Sequence, residues 1–517
     1  MLNKIITIKR LDLKLLLLLK SKFILHKMDN VAPVFIDGKW EKIKTSEFGK
    51  VFNPSSEEVI SMTPFCGKKD VERAVKSSLK AFKVWSKFSY AKRAEILFNY
   101  RELIRSNKEK IANIISLENG KTLPEARGDI QRGFEVVDFA CGILHLAKGE
   151  SLSEIAPNID SRTNLEPLGV CAGISPFNFP AMVPMWMFPI AIACGNSFIL
   201  KPSEKVPLTA IKLAELFQEA GLPDGVLNII HGGKEVVDAL CIHPNISAIS
   251  FVGSSHIAKH VYTLGAKHGK RVQAGGAAKN ALVVMPDAEP KSTMNSIMSS
   301  AFGCAGQRCM AGSLLVGVGK NIDSLKQTLI DRSNDLVVGD PLKNEKTEMG
   351  PVIDGNSKER IFNIIDGLGE TGVKVIRDGR EIRNKEGFFV GPTLVDNVDS
   401  SHPIFSQEIF GPVLSILNPK DIEETVEVLN KLNYGNGATI FTSSGNTARY
   451  FSENIKCGMV GINVGVPAPM SIYPFSGWND SFYGDLHMQG KEGVQFYTRQ
   501  KVILSRWDNL YEYKSGW

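Results

Sequence analysis

The readable pattern of the chain begins with a short apolar strand, a glycine turn and a second strand over residues 34–40. Apolar positions then recur at helical spacing over 69–85, 91–106 and 109–119, and again from Glu125 towards Ala147. From Gly169 the period changes. Short apolar strands at 169–175, 197–200 and 226–230 alternate with helices at 182–194 and 208–220. This alternation predicts an α/β fold with a mostly parallel sheet and crossover helices, whose ligands bind beyond the carboxyl ends of the strands. A further strand runs into Val252-Gly253-Ser254-Ser255 and opens a helix at His256. Later, a helix at 293–302 and a strand at 314–318 flank a turn of small residues, and 496–504 reads as a terminal strand. Gly367-Leu368-Gly369-Glu370-Thr371-Gly372 matches the dinucleotide fingerprint letter for letter, but it follows a helical run (360–366) and precedes a strand (373–376). A phosphate-binding loop needs the reverse order, so the segment reads as a helix-to-strand turn.

At 517 residues the chain exceeds one ordinary core, and two or more domains are expected. Its 43% hydrophobic and 22% charged content is that of a soluble globular protein. The net charge of +6 is located at the start: Lys4, Lys9, Arg10, Lys14, Lys20, Lys22 and Lys27 face only Asp12 before Met28, leaving 54 basic and 54 acidic residues in the remainder. A balanced body gives no reason to expect a nucleic-acid surface. Residues 1–27 are basic and interleaved with Ile and Leu, and their apolar run at 15–19 is too short to span a bilayer. They read as a mitochondrial transit segment; translation from Met28 would instead leave the protein in the cytoplasm. The eight cysteines are scattered without CxxC pairs or Cys/His clusters, so neither a disulfide framework nor a metal site reads out. A reducing compartment with one functional thiol fits.

The place to look for that thiol is Phe302-Gly303-Cys304-Ala305-Gly306-Gln307-Arg308-Cys309-Met310-Ala311. Small residues here let a substrate approach the backbone. A cysteine beside Arg308 at a helix terminus is expected to have a lowered pKa and to act as a nucleophile. Two buried structural cysteines would give the same letters. Asn178, in Pro176-Phe177-Asn178-Phe179-Pro180, follows a predicted strand; its amide can donate to an oxyanion or cap the next helix. Lys201 and Glu204 follow the next strand, and read equally well as surface charges. Gly253 and Ser254 before a helix N-terminus make an anion site suited to a pyrophosphate. Arg127 and Arg132 read by default as solvated helix residues.

Gly306-Gln307-Arg308-Cys309 resembles the active-site signature of aldehyde dehydrogenases, and Arg308-Cys309-Met310-Ala311 is similar to the coenzyme A-acylating methylmalonate-semialdehyde branch of that family. The family's other motifs follow in order from about Phe35 to the C-terminus. The resemblance implies a Rossmann-type NAD-binding domain (28–151 and 167–282), an α/β catalytic domain (283–465) and a return segment (466–517). It also implies a small β oligomerisation element, in which the terminal strand pairs across subunits together with a hairpin at 152–166. A homo-oligomer, tetramer or dimer, follows from that.

By the same resemblance Cys309 is the nucleophile and Asn178 the oxyanion donor, while Arg132 and Arg308 hold a substrate carboxylate. A planar guanidinium suits that task through two parallel hydrogen bonds. Ser175, Phe177, Lys201, Glu204, Lys205, Ser254, Gly276, Glu408 and Phe410 are the implied NAD contacts. An acid on the adenosine ribose favours NAD over NADP, and Glu408 is implied on the nicotinamide ribose with Phe410 beside the ring. The sequence departs from the family in having Ala258 where a second glycine is usual, and at Pro474-Phe475-Ser476-Gly477. Tyr434-Gly435-Asn436-Gly437 is read as a structural loop.

In Gln273-Ala274-Gly275-Gly276-Ala277-Ala278-Lys279-Asn280, anchoring on Lys279 puts Gly275 where hydrolytic members carry a water-activating glutamate. General-base help is worth roughly 10²–10⁴-fold, so hydrolysis should be slow and a thiol, coenzyme A, is the expected co-substrate. The implied reaction is NAD-dependent oxidative decarboxylation of methylmalonate or malonate semialdehyde, giving propionyl-CoA or acetyl-CoA, CO2 and NADH. A hydrolytic aldehyde dehydrogenase and a catalytically silent NAD-binding scaffold are the alternatives.

Overall fold

The computed structural model describes residues 31–506 except 320, 321 and 371; the transit-segment reading of 1–27 lies outside the described residues. Among the described residues one sheet has eight strands, in the order Lys39–Glu41, Val34–Ile36, Leu227–Ile229, Ser197–Lys201, Val170–Ile174, Ile246–Val252, Arg271–Gly275 and Phe482–Tyr483. The five from Leu227–Ile229 to Arg271–Gly275 run parallel, with antiparallel strands at both edges. Val170–Ile174 comes first of the five along the chain, and its successors spread out on either side. The strand order therefore reverses between it and Ile246–Val252, which opens a crevice beyond the carboxyl ends. Val170–Ile174 and Ser197–Lys201 are buried at every position, as strands covered by helices on both faces must be. The helix Met182–Ala193 is apolar all round and buried throughout, with Pro189 tolerated inside it.

A second sheet orders Lys374–Arg377, Thr393–Asp396, Val413–Leu417, Gly312–Gly317, Asn280–Val284, Gly437–Phe441 and Met459–Ile462, parallel except at its first pair. It has its own core, in which Val283, Leu314, Ile416 and Ile440 pack with Ile297 and Ala301 of the helix Pro290–Phe302. Asn280–Val284 already belongs to this sheet, so the chain changes sheets between Gly275 and Asn280, ahead of the expected boundary at 282.

A third sheet joins Ser151–Ala156, Ile159–Pro167 and Thr498–Arg506. The terminal strand was expected to pair across subunits. It pairs within its own chain over nine residues, from Thr498 opposite Pro167 to Arg506 opposite Ile159. The reason is local: the helix Gly490–Phe496 packs on Met182–Ala193 and releases the strand beside the free edge of the hairpin. Leu152, Ile155, Val502 and Leu504 of this sheet remain exposed.

The helix Leu123–Cys141 opens on a capping box between Thr122 and Glu125 and stops at Gly142, short of Ala147, where a brief turn Ile143–Leu146 follows. The misleading glycine motif begins as a 3₁₀ turn, Gly367–Glu370, between the helix Gly355–Asp366 and the strand Lys374–Arg377. Among the described residues no helix is long and apolar enough to cross a membrane.

Candidate active site

The helix Pro290–Phe302 ends in a tight turn, Gly303–Gly306, in which Cys304, Ala305 and Gly306 all have positive φ (51°, 51° and 70°). That conformation costs Cys304 and Ala305 roughly 1–2 kcal/mol each. At Gly306 it is compulsory, because a Cβ there would lie 2.2 Å from the Gly411 carbonyl oxygen. The turn is held by Glu125, whose Oε1 accepts from the Cys304 N–H at 2.6 Å, and by Gln307, whose Oε1 accepts from the Ile353 N–H at 3.1 Å. Downstream, the Cys309 carbonyl accepts from Asn280 Nδ2 at 2.8 Å and from Asn436 Nδ2 at 3.0 Å. Asn280 opens one strand of the second sheet, and Asn436 immediately precedes another. Sequence reading passed over Asn280 and took the Asn436 loop as structural. The available signal was an amide placed directly at the start of an apolar strand.

Cys309 stands on the wall between two cavities. The larger, about 720 Å³, lies over the switch point of the first sheet. Ser175, Phe177, Asn178, Lys201, Glu204, Lys205, Ser254, Gly276, Glu408 and Phe410 all line it together with Cys309. Within it Lys201 Nζ donates to the Gly232 carbonyl at 2.8 Å and to Glu204 at 3.4 Å. Burial pushes the Glu204 carboxyl up, but Lys201 and Lys205 outweigh it and hold the group below its usual range, as an anion. The helix Ser255–Lys267 has no side-chain cap, which leaves the N–H groups of Ser255 and His256 at its start for an anion. Ala258 lies wholly in the core beneath that helix and does not reach the cavity. Phe177 and Phe410 meet edge to face at 5.8 Å, and Glu408 Oε1 accepts from the Ala278 N–H at 2.8 Å. Gly276 passes beneath the cavity where a Cβ would come within 2.6 Å of the Asp480 carbonyl oxygen. An acid with its lysine, a helix terminus and a second acid near an aromatic pair, all lining one cavity, fit a dinucleotide, and the volume suits a cofactor site.

The smaller cavity, about 260 Å³, is lined by Arg132 and Arg308 along with Glu125, Asp129, Glu135, Phe179, Trp186, Phe475 and both Cys304 and Cys309. Arg132 reaches Glu135 at 3.1 Å and the Met470 sulfur at 3.2 Å, with 42% of its side chain exposed. Arg308 reaches Glu125 at 3.2 Å. Asp129 is neutralised by Lys121 at 2.8 Å. The two guanidiniums converge on the same chamber as the sulfur. Asn178 donates one amide N–H to the Gln307 carbonyl at 3.1 Å, which fixes it beside Cys309 and leaves its second N–H available. It caps nothing, since the next helix starts from Ala181.

The expectation of a lowered thiol pKa is overturned. Burial pushes Cys309 up to about 12, the Glu408 carboxylate adds to that, and Arg308 offsets it least. Arg308 has its guanidinium on Glu125, so its charge is partly spent before it reaches the sulfur. Behind Cys309 a small pocket is lined by Trp186, Val252, Gly275, Asn436, Phe475 and Met488, and among the described residues none of its lining groups is acidic. Among the described residues no cluster of metal-ligating side chains occurs.

Residues 40–503 match the aldehyde dehydrogenase family. The chain is 48% identical over 475 residues to the malonate-semialdehyde dehydrogenase of Halalkalibacterium halodurans, covering 92% of this chain and 98% of that one. It is 49% identical over 476 residues to malonate-semialdehyde dehydrogenase 1 of Geobacillus thermodenitrificans, with 92% and 98% covered. Among solved structures, methylmalonate-semialdehyde dehydrogenase from Oceanimonas doudoroffii aligns with a TM-score of 0.91 at 41% identity, covering 93% of this chain and 99% of that one. A Sinorhizobium meliloti protein, provisionally named methylmalonate-semialdehyde dehydrogenase and solved with NAD, aligns with a TM-score of 0.91 at 42% identity over 93% and 99% of the two chains. Likeness of this extent, carried through the turn that presents Cys309 and the sheet that floors the larger cavity, settles the lineage: the chain belongs to the aldehyde dehydrogenase family.

Proposed function

We propose that the protein is an NAD-dependent, coenzyme A-acylating dehydrogenase of malonate and methylmalonate semialdehydes. The observation that carries this reading is the position of Cys309, on a wall shared by a dinucleotide-sized cavity and a smaller one holding two arginines. Arg132 and Arg308 would pair with the substrate carboxylate and set the aldehyde carbon against the sulfur. The Cys309 thiolate attacks that carbon. The free N–H of Asn178 and the backbone N–H of Cys309 stabilise the oxyanion. The larger cavity, through Glu204, Lys201 and Glu408, would hold NAD, which would supply the acceptor for the hydride of the former aldehyde carbon. Cys309 is left as a thioester, the carboxyl group departs as CO2 while the α-carbon it leaves takes up a proton from solvent, and the thiolate of coenzyme A takes the acyl group and frees Cys309. Gly275 and the acid-free pocket around it support a thiol acceptor over water, because neither offers a base to activate water. The same reading assigns residues 1–27 to mitochondrial import and the exposed Leu152, Ile155, Val502 and Leu504 to contacts between subunits.

The test is NADH formation from either semialdehyde, with products identified by mass spectrometry. With coenzyme A, turnover is steady and yields propionyl-CoA or acetyl-CoA. Without it, NADH stops after a burst of about one equivalent per subunit, as a stable acyl-enzyme requires. Steady release of free acid without coenzyme A would move the protein to the hydrolytic class. Arg132→Ala should raise KM for the carboxylated aldehyde by roughly 10²-fold with little change for propanal. Equal effects on both substrates would remove Arg132 from carboxylate binding.

A further inference from the structure

Lys279 has no part in the mechanism above, yet it is only 3% exposed, and its Nζ has no hydrogen-bond partner among the described residues. A buried ammonium without partners is unfavourable on its own account. Its surroundings are specific. The residue before it, Ala278, donates its N–H to Glu408 Oε1 at 2.8 Å, and the residue after it, Asn280, donates to the Cys309 carbonyl at 2.8 Å. Lys279 therefore sits at the centre of a three-residue stretch that anchors Glu408 on one side and the nucleophile on the other. The charged or titratable groups facing Glu408 are Lys279, Arg360, Cys309 and Tyr434. Arg360 donates to the Ile409 carbonyl at 2.6 Å and also acts on Glu408, after Lys279. Among the described residues, Glu408 is the charged group that acts on Lys279.

We propose that Lys279 is a positioning residue that acts through Glu408: its buried charge keeps the Glu408 carboxylate ionised, so that the carboxylate can accept hydrogen bonds from the ribose hydroxyls of a dinucleotide. This rests on the cofactor reading of the larger cavity. Burial drives both groups towards their neutral forms, Glu408 up to about 7 and Lys279 down to about 7, and their mutual attraction opposes this in each. Removing the lysine takes away one of the groups that oppose burial at Glu408, leaving the Ala278 N–H and Arg360. Glu408 then rises further, is protonated at neutral pH, and accepts only after the pH is raised through its new value.

The experiment compares NAD binding by calorimetry from pH 7 to 9.5 for wild type, Lys279→Met, Glu408→Gln and the double variant. Lys279→Met should bind NAD about tenfold more weakly at pH 7 and converge on wild type at the alkaline end. The double variant should bind no more weakly than Glu408→Gln alone. A loss that is the same at every pH, or that adds to the Glu408→Gln loss, overturns the proposal. A second readout needs no cofactor. Because the Glu408 carboxylate raises the Cys309 thiol, neutralising it through Lys279→Met should speed iodoacetamide alkylation of Cys309 at pH 8 by roughly threefold. An unchanged alkylation rate counts against the proposal even if wild type fails to bind NAD, an outcome that would sink the cofactor reading separately. Lys279→Gln, which removes the charge with a polar side chain, replaces the methionine variant should that one not fold.

Discussion

Cys309→Ser should lower turnover to about 10⁻⁴ of wild type or less, the scale of loss when a nucleophile is removed from an otherwise intact site. A serine hydroxyl ionises far less readily than a thiol, and the carboxylates that share a cavity with it are already engaged, among them Glu408 with the Ala278 N–H, Glu125 with the Cys304 N–H and Arg308, Asp129 with Lys121 and Glu135 with Arg132. The substitution leaves the Cys309 carbonyl on Asn280 and Asn436, so the fold and the larger cavity should persist. NAD titration should therefore give wild-type affinity while stopped-flow NADH formation loses its burst. A variant that kept the wild-type rate would remove Cys309 from the chemistry.

Gly275→Glu should raise coenzyme A-independent turnover by roughly 10²-fold or more, the usual contribution of a positioned general base. Gly275 closes the strand Arg271–Gly275 without positive φ, so its backbone accepts a side chain. A Cβ there would make ordinary contacts, 3.6 Å to Met488 Cε and 3.6 Å to Val252 Cγ2. The rest of the glutamate must displace Met488, and overpacking of this kind costs about 1–3 kcal/mol. The melting temperature should fall accordingly. Apolar surroundings would also lift the new carboxyl towards neutrality, which suits a base working near pH 7. The measurement is NADH production without coenzyme A, alongside mass spectrometry for the free acid. A folded variant showing no gain would mean that deacylation is limited by something other than the missing base.

Much of this architecture could be read from the chain because parallel strands buried on both faces must be written as short unbroken apolar runs. Val170–Ile174 and Ser197–Lys201 are such runs, and with the helices between them they placed the crevice before any coordinates were known. That Cys309, Asn178 and Arg132 gather around the two cavities was legible only through the resemblance of their motifs to the family's; read alone, the thiol could equally have been structural and Arg132 a solvated helix residue. What could not be read was pairing between distant segments. Glu408 meets Ala278 across 130 residues, Asn436 meets Cys309 across 127, and Glu125 meets Arg308 across 183. The last of these is why Arg308 seemed, from its neighbour alone, to be an activator of the thiol. The first sheet change was missed by a few residues because Gly276, Ala277 and Ala278 carry no pattern of either period.

The clamp on the Cys309 carbonyl bears on how an acyl group travels. Two amides fix the backbone after the sulfur, and a glycine with no permissible substitute closes the turn before it. The soft coordinates left to an acylated Cys309 are the torsions of its side chain, about Cα–Cβ and Cβ–Sγ. In the proposed reaction an acyl group on Sγ would pass from the arginine chamber to the dinucleotide chamber by turning the side chain while the backbone beneath it stays fixed.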